Sequence, residues 1–447
     1  MMPGSIGLWL GLWLGIASIV GWATWRAGNG SVGLVFAYLV NLSLIHWLGA
    51  AAYLSDVPHL HEEGVVTRGV QESVWAVAAF AVGSLVMTPL VGKLRTDLPA
   101  RFEIRPALLK IYLLTGALCY WSVTLFLRDA PTLTALAAAG QQLFIVGVCL
   151  YAYRALIQRR GLRVATWIGV ACLIPIVTLI ADGFVSYGTA ATIAVLTFVG
   201  SFTRPRLKAV LVGVVIVYVG LSALVTYMQH RTEIRVVVDS GPRIDRRVQK
   251  VLDVAKQVEL FSPSNQAHLD VLDDRMNQSY LIGATVERTR ITGEYAYGRT
   301  LVESVIAIVP RAIWPEKPIY AGSGDLVTRY SGIPFGPNTS VGIGHVLEFY
   351  VNFGTLGVIA GFVMLGMLVT IVDQSAFKAL RSGDWQRFTL LFLCGLSLVQ
   401  TGGSLVETTA AAGASVVLAM LVNNVLLYRL QRETSIDPSP NPLPGPA

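Results

Sequence analysis

The sequence predicts an all-α polytopic membrane protein of about eleven transmembrane helices, and three observations carry that expectation. Of 447 residues, 54% are hydrophobic and 14% charged, with a mean hydropathy of +0.60, a balance foreign to water-soluble domains. Apolar runs of about twenty residues, enough to cross ~30 Å of hydrocarbon as a helix, recur along the chain. Backbone amides in lipid must be satisfied within their own segment, so such runs should be helical. Finally, the basic residues alternate by connection, as the positive-inside rule requires of a multi-pass chain.

The expected spans lie near 6–25, 32–54, 73–92, 108–127, 132–153, 164–181, 184–202, 209–228, 355–372, 388–405 and 410–428. The first has neither a basic leading segment nor a small-residue cleavage site, so it reads as a span and not a signal peptide. Lys93, Arg95, Arg101 and Arg105 follow the third span, Arg154, Arg159, Arg160 and Arg163 the fifth, and Arg204, Arg206 and Lys208 the seventh. Lys378, Arg381 and Arg387 follow the ninth, and Arg429 and Arg432 the last. These connections are expected in the cytoplasm. The others are short (128–131, 182–183) or acidic and histidine-bearing (Asp56–Glu63), so they face outward. The same parity puts the 229–341 connection and the N terminus outside and the C terminus inside. The net charge of +7 is thus distributed by topology, which points to the lipid bilayer as partner and not to nucleic acid.

Four regions follow: an N-terminal transmembrane bundle (1–228, about eight spans), a large extracytoplasmic loop (229–341), a C-terminal bundle (342–432, about three spans) and a Pro-rich tail (433–447) expected to be disordered. The loop holds 14 Lys/Arg and 13 Asp/Glu, as suits a folded, solvated cap. In it, Ile244, Val248, Val251, Leu252, Val258 and Leu260 recur at helical spacing, predicting an amphipathic helix over 243–261. The segment 299–314 is too short and interrupted to span, and predicts a buried or re-entrant helix ending at Pro310. Cys119, Cys149, Cys172 and Cys394 all fall in spans and read as packing residues, as does His46. His59, His61, Glu62 and Glu63 resemble metal-ligand spacing only superficially. No metal site is expected, and there is no internal repeat or Gly-rich phosphate loop.

Chemistry concentrates between Asp274 and Glu348, where Arg275, Arg288, Arg290, Arg299, Arg311, Lys317, Arg329, His345 and Glu348 lie among aromatic and Gly/Pro residues. Guanidinium groups stay charged and offer paired donors, which suits them to phosphate or pyrophosphate oxygens. The alternative is that they are solvated charges paired with nearby carboxylates. His345 and Glu348, three residues apart, should share one helix face, where either could take a proton from a sugar hydroxyl. Alternatively, one caps a helix or bridges two.

At VPRAIWPEKP (309–318), YGRT (297–300) and EFYVNFGTLGV (348–358), the sequence resembles the bacterial oligosaccharide repeat-unit polymerases, the Wzy-type O-antigen and exopolysaccharide polymerases. The resemblance covers about residues 274–372; the earlier spans agree in hydropathy and topology alone. It implies a GT-C-like fold and a metal-independent glycosyltransferase without a cofactor. Such an enzyme moves a growing glycan from one undecaprenyl-pyrophosphate carrier to a lipid-linked oligosaccharide repeat unit, on the periplasmic face of the bacterial inner membrane. The family usually works with a chain-length-regulating co-polymerase. By the same resemblance, Arg311 binds the donor pyrophosphate, supported by Arg275, Arg288, Arg290, Arg299 and Lys317, with Tyr297 and Trp314 contacting substrate. His345 stands where the related O-antigen ligases carry a histidine, but Val346 replaces the asparagine usual after it, leaving Glu348 as the rival base. An O-antigen ligase would show that His-Asn pair and gives no reason for WPEKP. A transporter or flippase of lipid-linked oligosaccharide would carry ionisable residues in mid-membrane or broken helices. A scaffolding subunit of an export complex leaves the arginines unexplained.

Overall fold

A computed structural model describes residues 5–26, 30–92, 106–125, 131–203, 207–239, 244–309, 313–318, 320–336 and 341–436, and among these every regular element is helical. The first two helices, α1 (Ile6–Arg26) and α2 (Leu34–Ala50), run antiparallel: Trp47 Nε1 donates to the Leu10 carbonyl (3.2 Å) and Trp13 Nε1 to Ser43 Oγ (3.0 Å). A short 3₁₀ turn (Ala51–Leu54) leads toward α3 (Glu63–Gly92). Then come α4 (Pro106–Leu125), α5 (Pro131–Ile157), α6 (Gly161–Asp182), α7 (Ser186–Phe202) and α8 (Leu207–Asp239). Five shorter helices follow: α9 (Ile244–Ala255), α10 (Gln266–Arg275), α11 (Gln278–Thr292), α12 (Arg299–Ala307) and α13 (Ser323–Ser331). The chain closes with α14 (Gly344–Ser382), α15 (Trp385–Leu398) and α16 (Leu405–Ile436).

Among the described residues, eight helical stretches are long and apolar enough to cross a membrane: Ile6–Thr24, Leu34–Leu54, Glu63–Val91, Ala139–Ile157, Gly161–Ala181, Gly213–Val238, Gly344–Ser382 and Leu405–Val425. Ala107–Ser122 and Ser186–Phe202 are shorter apolar helices at two further expected spans. The expected span at 388–405 differs. There α15 has 14 residues, about 21 Å at ~1.5 Å per residue, because the turn at Val399–Gly403 interrupts a run that hydropathy alone joins. Of the tail from 433, residues up to Ile436 continue α16, and 437–447 lie outside the described residues.

The region from 229 to 341 is built into the bundle. Helix α8 itself runs on past residue 228 to Asp239. Helix α11 lies so close along α3 that a side chain at Gly69 would strike the Ser279 carbonyl, and one at Gly283 the Val65 carbonyl. Helix α12 rests on α16, where Thr409 Oγ1 donates to the Ser304 carbonyl (2.6 Å), and it ends at Ala307, short of Pro310. The amphipathic helix expected over 243–261 forms as α9, but its buried positions are Arg247 and Val254, while Ile244 and Leu252 are exposed. Arg247 outweighs the apolar stripe because its guanidinium satisfies the carbonyls of Ala181 (2.8 Å) and Val238 (2.7 Å), near the ends of α6 and α8.

Two features of α14 set up the site. It is broken at Phe353 and Gly354, the latter at φ 61°, ψ −152°, a conformation that favours glycine. Beyond the break its second half runs parallel to α3. Thr355 pairs with Glu72 (2.7 Å), Thr370 with Ser84 (2.8 Å) and Lys378 Nζ with the Val91 carbonyl (2.6 Å). Deeper in, Asp373 Oδ1 accepts the amides of Val32 (3.1 Å) and Leu34 (2.8 Å), an interhelical cap on α2.

Candidate functional site

The site starts from the need to satisfy the amides at the head of α16. Ser404 and Glu407 form a reciprocal capping box: Ser404 Oγ accepts the Glu407 amide (3.1 Å) and Glu407 Oε2 accepts the Ser404 amide (3.0 Å). Glu407 Oε1 also accepts the Ser323 hydroxyl (2.8 Å), tying α13 to this end. The Leu405 amide goes instead to Glu348 Oε2 across the interface (2.6 Å). Glu348 therefore sits, fully buried, at the positive end of α16, while its Oε1 has no hydrogen-bond partner among the described residues.

His345 lies one turn earlier on the same buried face, as the spacing predicts. Its Nδ1 meets Tyr38 Oη (3.0 Å) and its Nε2 meets Thr408 Oγ1 (3.2 Å), so α2, α14 and α16 are bridged through one imidazole. Both nitrogens are engaged, which is the interhelical arrangement and leaves Glu348 as the group with a free acceptor. The first amides of α14 are used in turn by the connection before α16: Gly344 donates to the Gly402 carbonyl (3.1 Å) and His345 to that of Thr401 (3.2 Å).

One further turn along α14, buried Asn352 holds the YGRT segment. Its Oδ1 accepts the Gly298 amide (2.9 Å), and its Nδ2 donates to Thr300 Oγ1 (2.7 Å) and to the Glu348 carbonyl (2.7 Å). The Ala296 amide adds a bond to the Val351 carbonyl (2.7 Å). Within this clamped turn Tyr297 adopts φ 46° and is 73% exposed, a non-glycine residue held in the left-handed region beside a buried junction.

Among the described residues, the cations do not form one cluster around this junction. Arg275 pairs with Asp274 (2.8 Å), Arg299 with Glu303 (2.9 Å) and Arg329 with Glu294 (3.0 Å), the local-carboxylate alternative. Glu303 also holds the Arg299 guanidinium above its ordinary pKa. Lys317 is buried and turned inward onto the carbonyls of Ala307 (3.1 Å) and Val309 (2.8 Å), closing the end of α12. Trp314 and Arg290 are exposed. Arg288 lines an open cavity of about 450 Å³ with Tyr280, Glu287, Ser331 and Gly332, and Glu287 is paired with Arg68. Arg311 lies outside the described residues, as do Pro310 and Ala312.

Sequence inspection missed Asn352, Tyr38, Thr408 and Glu407, and it missed two carboxylates buried in apolar helices, Glu72 and Asp373; Glu348, which it singled out, is buried as well. Glu72 is tied to Thr355 through Oε1, while Oε2 has no partner among the described residues, next to the break in α14. A lone carboxylate inside an apolar run is itself a functional signal. A family model described as a domain of unknown function (DUF8712) matches residues 35–404, a stretch that ends where α16 begins. No curated protein and no solved structure matches the chain.

Proposed function

The chain belongs to the DUF8712 family, and from the junction within the matched region we propose that it is a metal-independent glycosyltransferase polymerising lipid-linked oligosaccharide. The growing glycan passes from one undecaprenyl-pyrophosphate carrier to a repeat unit on a second, at the periplasmic face of the bacterial inner membrane. The observation that carries this proposal is the joining of YGRT to EFYVNFG by Asn352, immediately beside the unpartnered oxygen of Glu348. Segments about fifty residues apart meet where a base would be needed.

In the proposed step, Glu348 Oε1 takes the proton of an acceptor sugar hydroxyl. The acceptor hydroxyl oxygen bonds to the anomeric carbon of the donor glycan as the bond to the pyrophosphate oxygen breaks. The leaving pyrophosphate keeps the electron pair, its charge met by guanidinium groups, with Arg288, Arg290 and Arg311 in that role. Because Glu348 is fully buried, substrate reaches it when the Tyr297–Thr300 turn lifts from Asn352.

A second assignment, transport of lipid-linked oligosaccharide, is favoured by one specific pairing: the break at Gly354 beside buried Glu72. Reconstitution separates the two. Purified protein given lipid-linked repeat units should produce a ladder of longer glycans, and Glu348→Gln should slow it at least about 100-fold. Arg311→Ala should leave single units unextended. A wild-type protein that makes no ladder yet moves the lipid across liposomes sinks the polymerase assignment.

A further inference from the structure

At the far end of α8, two arginines one turn apart share a ring. Arg231 Cζ lies 5.8 Å and Arg235 Cζ 4.3 Å from the centroid of Phe184, in the connection after α6. Like charges at this spacing repel on a helix surface, so the pair calls for compensation. No ion pair involves either among the described residues, whereas Arg68, Arg275, Arg299 and Arg329 each have a carboxylate. Glu233, two residues from Arg231, is occupied by Lys250 (2.5 Å). The third charge facing Arg231 is again positive, Arg275 at the end of α10, itself shared with Asp274. Within this corner Arg231 Nε is buried without a partner, while Tyr227 donates its hydroxyl to the Gly183 carbonyl (2.9 Å) and turns its oxygen to the rest of the Arg231 guanidinium.

Depth along the helix identifies the ligand. The expected span of α8 begins near residue 209, and Val214 and Val217 are exposed along it. At ~1.5 Å per residue, Arg231 lies about 33 Å and Arg235 about 39 Å farther on, just beyond the ~30 Å thickness of a hydrocarbon core. Their guanidinium groups thus emerge where lipid phosphates lie, stacked on an aromatic face that fixes the fork for bidentate contact. The partial negative charge at the C-terminal end of α6 offsets some of the repulsion, but Arg247 and Tyr227 already take the Ala181 and Gly183 carbonyls.

We infer that Arg231, Arg235 and Arg275, over Phe184, form a binding site for the phosphate group of an anionic lipid headgroup. The site stands on α8, α10 and the connection after α6, apart from the helices that carry Glu348, and does not depend on the proposed catalytic function.

The test uses the full chain in detergent, with phosphatidylglycerol, phosphatidylcholine and inorganic pyrophosphate as probes, read by native mass spectrometry and thermal unfolding. The wild type should retain phosphatidylglycerol over phosphatidylcholine and melt higher with it. Arg231→Gln/Arg235→Gln should weaken phosphatidylglycerol binding at least about tenfold, while Arg246→Gln, on an exposed position of α9, should not. If the glutamine pair fails to fold, Arg231→Lys/Arg235→Lys carries the test: charge is kept, the planar fork is lost, and affinity must still fall. Unchanged binding in a folded variant, or no lipid preference in the wild type, overturns the site. Stabilisation by pyrophosphate without any by phosphatidylglycerol overturns the assignment to a lipid.

Discussion

Removing the Asn352 side chain should loosen the YGRT turn and destabilise the protein by about 2–4 kcal/mol. Asn352→Ala deletes three hydrogen bonds, to the Gly298 amide, Thr300 Oγ1 and the Glu348 carbonyl, each typically worth ~1 kcal/mol, and strands buried groups that gain no water. The Ala296 bond to Val351 remains, so the turn should stay attached but mobile. Asn352→Asp is the sharper perturbation. It keeps an acceptor for the Gly298 amide, and the Thr300 hydroxyl can rotate to donate, but it sets an oxygen against the Glu348 carbonyl at 2.7 Å. The loss should match or exceed that of alanine, since a buried charge is added with no counter-charge among its described neighbours. Denaturant unfolding in detergent measures the stability, and limited proteolysis across 294–300 measures the turn. An Asn352→Ala protein within about 0.5 kcal/mol of wild type, with an equally protected turn, would refute the clamp.

Two more perturbations separate local strain from packing. Asp373→Ala strips the amides of Val32 and Leu34 of their acceptor and should cost about 2–4 kcal/mol, with Asp373→Asn losing less, both measured by thermal unfolding. Tyr297→Gly should leave stability unchanged or raise it by up to about 1 kcal/mol, because a left-handed φ of 46° costs a tyrosine and not a glycine, and the ring is exposed. If the ring contacts glycan, the same variant should lose transfer in the reconstituted assay while melting normally.

Most helices were legible because apolar runs report a local requirement, the burial of backbone in lipid. The failures occurred where a non-local contact decided the outcome. Hydropathy ends the eighth span at 228, yet α8 continues because Arg231 and Arg235 stack on Phe184 and Val238 receives Arg247. In the tenth expected span, the turn at 399–403 is stabilised by carbonyls paired to Gly344 and His345, far away in sequence. The shared face of His345 and Glu348 was readable from a spacing of three. Their partners were not: Tyr38 lies 307 residues from His345, and Leu405 lies 57 from Glu348. An asparagine among aromatics gives no local sign that it will clamp a turn.

The directions of the helices bring these polar features to one side. Helix α3 and the second half of α14 are parallel, and Lys378 marks one end by binding the Val91 carbonyl. From Val91 back to Glu72 is about 28 Å of helix, close to a full hydrocarbon thickness. Glu72, Thr355 and the break at Gly354 therefore lie at the opposite membrane boundary, and the first half of α14, with Asn352, Glu348 and His345, continues beyond the break. Helix α8 reaches that same boundary with Arg231 and Arg235 if α4 to α7 cross in alternation, and the meeting of the ends of α6 and α8 at Arg247 accords with that alternation. The basic residues Lys378, Arg381 and Arg387 stay at the other end. Glu348, with an oxygen that has no partner among the described residues, the clamped turn, and an arginine couple with no ion pair among the described residues thus share the end opposite the basic connections.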